Sequence, residues 1–167
     1  MSVSGAACLC STLPDLAVVP MGGEGLDEKV FATVELVWSH GGTQWWLYLA
    51  RCTACGQDWM VAQESRIHDN HYLKRIDAAT ARAILESGDW PEDFLTFERV
   101  LTLGRTMGER WEWADPFAHG LQFSVEDLRK ERPSITAREI GWLLGLSDRH
   151  ARMVYWKVRL FGADKLS

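Results

Sequence analysis

The chain has 167 residues, 47% hydrophobic and 25% charged, with a formal net charge of −5, which suits one globular domain or two small ones. Charges interrupt it too often for a membrane-spanning helix of about 20 apolar residues, and residues 1–20 lack the Lys or Arg that opens a secretory leader. Its nine tryptophans are unusual, and its charge is uneven: nine Lys/Arg against seventeen Asp/Glu in residues 1–123, but nine against six in residues 124–167, which suggests two surfaces with different partners.

All four cysteines fall into two tight pairs, Cys8-Leu9-Cys10 and Cys52-Thr53-Ala54-Cys55, with 41 residues between them. Four thiolates in two short loops can surround a structural Zn2+ tetrahedrally at about 2.3 Å each. Gly56 follows the second pair, where a residue free to turn back lets backbone amides face the sulfurs. The first pair has a one-residue spacer, shorter than usual, which makes Cys8 and Cys10 the less secure ligands; His40, His68 and His71 are their candidate replacements. Buried or redox-active thiols and disulfides are the competing readings. The run Gly5-Ala6-Ala7-Cys8 faintly suggests a lipoprotein cleavage site, but its apolar core is too short, so a cytoplasmic location, where thiols stay reduced, is expected.

In chain order, Pro14 to Gly25 reads as an irregular loop rich in proline and glycine. Alternation of Val30, Ala32, Val34, Leu36 and Trp38 on one face predicts a strand, and His40-Gly41-Gly42-Thr43 a hairpin turn. A second strand, Gln44 to Arg51, is apolar on both faces and should lie centrally, and a third runs from Asp58 to Gln63. Residues 66–74 read as a polar run in which His68 and His71 make surface or hydrogen-bonding contacts.

Asp77 can cap a helix from Ala78 to Ser87 ending at Gly88. Pro91 predicts the first turn of another, with Phe94, Phe97, Val100 and Leu101 as its apolar stripe. Residues 108–123 read as a connector whose tryptophans dock on a flanking unit. Ser124 is predicted to cap a helix that Pro133 ends, Thr136 to Glu139 form a capping box for a second ending at Leu144, and Ser147 caps a third from Asp148 to Phe161. The expected class is α+β, with an antiparallel β unit over residues 1–76, a helical connector over 77–123 and a three-helix bundle over 124–167.

The order of knuckle, hairpin, knuckle and strand over residues 8–64 resembles a zinc ribbon, carried by Cys8, Cys10, Cys52, Cys55 and Gly56. Residues 124–161 resemble the helix-turn-helix of bacterial DNA-binding proteins, with Ile140, Leu144, Leu146, Ala151 and Val154 at its buried positions, Gly141 where the helices cross and Gly145 in the turn. That resemblance implies that the last helix enters the major groove of DNA. It would present Ser147, Arg149, Arg152, Met153 and Trp156 outward, with Lys157 and Arg159 able to reach phosphates. A helical bundle of the same spacing without DNA binding is the competing reading.

The acidic, tryptophan-rich residues 1–123 bear a weaker likeness to bacterial immunity proteins, which implies a toxin as partner. A homodimer is a further expectation. Glu64, His68 and His71 match no hydrolytic metal motif, and the glycines at 22, 23 and 25 lack the lysine of a phosphate loop, so no enzyme activity is expected.

Overall fold

The computed structural model describes residues 7–113 and 115–162; the start of the Gly5 to Cys8 run lies outside them. The chain is mixed α+β and divides into two compact units, residues 1–65 with 69–95, and residues 66–68 with 96–167.

The first unit is built on a five-stranded antiparallel sheet. Its strands are β1 (Leu16–Pro20), β2 (Val34–Gly41), β3 (Gln44–Cys52), β4 (Asp58–Glu64) and β5 (Asn70–Ile76), in the order β1-β5-β4-β3-β2. The strand expected from Gln44 to Arg51 lies inside the sheet as β3, apolar on both faces, and β4 shares this two-sided burial. Tyr48, Ala50, Trp59, Val61 and Leu73 share one face through the pairs Tyr48↔Val61, Ala50↔Trp59 and Val61↔Leu73, while Leu47, Leu49, Met60, Ala62 and Tyr72 are fully buried on the other. The first face packs with Ala17 and Val19 of β1, Val30 and Val34, and with Cys10 and Cys52. Burial of each large apolar side chain contributes about 1.5–3 kcal/mol.

Four sequence expectations are corrected in this unit. The segment read as a loop over Pro14 to Gly25 holds β1, whose Ala17 and Val19 alternate inward against β5; its short apolar pattern was hidden by the flanking prolines and glycines. The strand expected from Val30 starts at Val34, because residues 26–31 form helix α1 (Leu26–Phe31) with Val30 buried. Leu36 and Trp38 do not face inward: β2 is the sheet edge, its register shifts between these two residues, and they are 59% and 54% exposed. Finally, the polar run read over residues 66–74 ends in β5, where Tyr72 and Leu73 fill opposite faces. The turn before it uses Asp69 at φ 51°, the one left-handed non-glycine among the described residues.

Helix α2 (Ala78–Ser87) is capped as predicted, the Asp77 carboxylate accepting from the Thr80 amide at 2.7 Å and Gly88 closing the end. The helix expected from Pro91 is instead a single 3₁₀ turn, Glu92–Phe94, and a separate helix α3 (Phe97–Thr106) begins after Thr96, whose hydroxyl caps it.

The second unit comprises α3, α4 (His119–Glu131), α5 (Ala137–Leu144) and α6 (Asp148–Phe161). Ser124 is not a cap: α4 starts five residues earlier, and the buried Ser124 hydroxyl donates to the Gly120 carbonyl at 2.7 Å, the back-bond a serine makes inside a helix. The capping box at Thr136 is complete, with the Glu139 amide donating to Thr136 Oγ1 at 3.2 Å and Glu139 Oε2 accepting from the Thr136 amide at 2.7 Å. Gly145 turns the chain at φ 66°, and Ser147 caps α6 by accepting from the His150 amide at 3.3 Å. Ile140, Leu144, Ala151 and Val154 are buried, as expected, with Leu146 half-buried. A Cβ added at Gly141 would stand 2.9 Å from the Cβ of Ala151, so α5 and α6 cross at a distance only glycine allows.

Candidate metal centre and helical face

The four cysteines meet at one end of the sheet, where β3 ends and β4 begins. Their sulfurs lie within 4.8 Å of one another, and all four are free of disulfides. Thiolates 2.3 Å from a tetrahedral ion are separated by about 3.8 Å; here Cys8 Sγ lies 3.4 Å from Cys55 Sγ and 3.5 Å from Cys52 Sγ. His40, His68 and His71 do not belong to the cluster.

Each loop is shaped by its own backbone. In the second, the Cys52 amide donates to the Gln57 carbonyl and the Gly56 amide returns to the Cys52 carbonyl at 2.8 Å. Gly56 is at φ 76°, which a side chain would strain. In the first, the short spacer lets the Cys10 amide donate to Cys8 Sγ at 3.3 Å, and the Thr12 amide closes the turn on the Leu9 carbonyl.

Around the sulfurs stand groups that favour negative charge. The fully buried Trp59 donates its indole N–H to Cys10 Sγ at 3.4 Å. Arg75 lies over the Trp59 ring at 4.4 Å and ties the N-terminal segment to the sheet: its Nη2 donates to the carbonyls of Cys10 and Leu13, its Nε to Asp15 and its Nη1 to Gln57. The buried Thr33 hydroxyl stands beside Cys52.

These surroundings separate the thiols. Burial pushes the Cys10 thiol up to about 12 against the pull of the Trp59 N–H. At Cys52 burial acts in the same sense, but the Thr33 hydroxyl and the amides of Cys55 and Ala54 outweigh it and hold the thiol down to about 6. One sulfur is thus ready as a thiolate, and a bound cation would displace protons from its neighbours. Four sulfurs within 4.8 Å of one another, with N–H donors already aimed at them, fit Zn2+.

The second cluster of candidate residues lies on α6. Ser147, Arg149, Arg152, Met153, Trp156 and Arg159 are exposed and Lys157 is half-buried. Arg152 Nε donates to the Asp148 carbonyl at 3.2 Å, Lys157 Nζ sits 4.4 Å over the Phe117 ring, and Arg159 lies 4.8 Å over Trp156. Arg149 is the least engaged of the four cations on this helix.

The residues that support these sites were largely missed in the sequence. Trp59 and Arg75 sit opposite one another in the β4–β5 register, and no local pattern links either to Cys10. Trp111 and Trp113, expected to dock somewhere, both donate indole N–H groups to the Leu144 carbonyl, at 3.0 and 2.9 Å. They thereby satisfy the end of α5 at the turn.

No protein-family model matches the chain, and neither a curated protein nor a solved structure shows significant similarity to it. Among the described residues no helix is long and apolar enough to cross a membrane.

Proposed function

We propose that the chain is a non-catalytic, zinc-stabilised DNA-binding regulator: a zinc-ribbon-like β unit closed by Cys8, Cys10, Cys52 and Cys55, and a helix-turn-helix that reads DNA through α6. The observation that carries the reading is the α5–turn–α6 geometry. A complete capping box, the left-handed Gly145 and the close crossing of Gly141 and Ala151 leave Arg149, Arg152 and Trp156 on one exposed face, the arrangement a major-groove helix requires. Arg149 and Arg152 would contact base edges or phosphates, with Lys157 and Arg159 adding neutralisation of the backbone.

The test is selection of genomic fragments by the full chain at physiological salt. Retained duplexes should be lost when Arg149 and Arg152 are changed to Ala, and the salt dependence of residual binding should flatten by about one unit of slope per phosphate contact removed. Retention of no fragment would sink the reading.

A second reading is favoured by the edge of the sheet. Leu36, Val37, Trp38 and Trp45 are exposed there beside Glu35, an apolar and acidic border suited to a protein partner with a basic face, as an immunity protein has in its toxin. Recovery of such a partner with the wild type, lost on Trp38→Ala, would favour it.

A further inference from the structure

Beside the turn that joins α5 and α6 lies an open cavity of about 500 Å³ within the second unit. Its lining combines three arginines, Arg105, Arg110 and Arg138, with the rings of Trp111 and Trp142, and Ser147 and Asp148 bring the first turn of α6 to its edge. The Arg105 guanidinium stands between the two indoles, 5.6 Å from the Trp111 ring and 5.5 Å from that of Trp142. Its Nε is buried without a hydrogen-bond partner. Among the described residues Arg110 donates only to the neighbouring Glu109 carbonyl, and none of the three arginines makes an ion pair.

A neighbouring cavity on the other side of Arg138 and Trp142 makes the contrast clear. That cavity shares Arg138, and its other cation, Arg132, is already neutralised by Glu98 at 2.8 Å and Glu139 at 2.9 Å. The Arg105 cavity is lined by three arginines and one carboxylate, Asp148. The amides and dipole at the start of the fourteen-residue α6 add to its attraction for anions.

We propose that this cavity is a binding site for a nucleoside monophosphate, its phosphate held by Arg105, Arg110 and Arg138 and its base against Trp142. Guanidinium forks match phosphate oxygens, an indole face accepts any base, and the volume falls in the range of small-ligand sites. Trp111 cannot swing away, because its N–H is held by the Leu144 carbonyl; the site is therefore preformed on that side. The cavity meets the DNA-reading face only at Ser147; neither Arg149 nor Arg152 lines it.

Calorimetric titration of the full chain with the monophosphates of adenosine, guanosine, cytidine and uridine tests this, with adenosine and inorganic phosphate as separate arms. At least one monophosphate should bind saturably and at least about tenfold more tightly than either half alone. Arg138→Ala and Trp142→Ala, both at exposed positions of α5, should each weaken it by about tenfold or more, while Trp142→Phe retains most of the affinity. Thermal melting of each variant establishes that it is folded. Absence of saturable binding by all four, equal binding of inorganic phosphate or adenosine, or affinity unchanged in both alanine variants would overturn the proposal. Arg149→Ala with Arg152→Ala, which tests DNA binding, should leave the titration unchanged.

Discussion

The two units are stabilised over different lengths of chain. In the first, the decisive contacts join residues far apart in sequence: Cys8 meets Cys55, Trp59 donates to Cys10, and Arg75 reaches the carbonyls of Cys10 and Leu13. In the second, much of the definition is local. Thr136 and Glu139 cap α5, Gly145 ends it, and Ser147 starts α6, all within twelve residues. Closing a long loop costs conformational entropy that a metal ion can offset, whereas a helix terminus needs only a neighbouring side chain. The first unit should therefore respond steeply to loss of one remote group, and the second in small separate steps.

The largest effect should come from the metal ligands. Wild-type protein should carry close to one zinc per chain by metal analysis, and Cys52→Ser should lose it with a fall of more than about 3 kcal/mol in stability, a drop in Tm above about 10 °C. A metal-free wild type with an unchanged melting transition would remove the ion from the account and reduce the contrast to one of sheet against helices.

An intermediate effect is expected at the helix crossing. Gly141→Val places a side chain where Ala151 already lies; overpacking of this kind costs about 1–3 kcal/mol, read by chemical unfolding. Zinc content should not change. An unaltered midpoint would show that the two helices can separate freely, against the close crossing described.

The smallest effect is electrostatic. The Thr136 amide and hydroxyl, together with Arg132, hold the Glu139 carboxyl down to about 2, from its ordinary 4.5. Since the folded value is the lower one, this group's contribution is present above pH 4.5 and is lost as pH falls toward 2. Glu139 is 45% exposed, so screening keeps the contribution below about 1 kcal/mol. The difference in unfolding free energy between wild type and Glu139→Gln should shrink between pH 5 and pH 2; a constant difference would contradict the assignment.

The same contrast of scale governs what could be read in advance. Asp77, Thr136, Gly145 and Ser147 act within three or four residues of their partners, so their roles were visible in the chain, as was the pairing of cysteines. β1 was not, because its identity as a strand depends on β5 more than 50 residues later. Ser124 misled for a related reason: a serine near a helical pattern suits a cap or an internal back-bond equally, and the start of α4 at His119 decides between them. The Arg105 cavity was illegible because its arginines and tryptophans come from α3, the following loop and α5, and only packing brings them together.

The cysteine loops also impose an order on biosynthesis. Cys8 and Cys10 are made before their partner sulfurs, which come 44 and 47 positions after Cys8, and Arg75, which fastens the Cys10 and Leu13 carbonyls, follows only when β5 has been made. A nascent chain halted before residue 75 therefore holds its first thiol pair without the Arg75 clasp on the Cys10 and Leu13 carbonyls. Translation through β5 supplies that clasp.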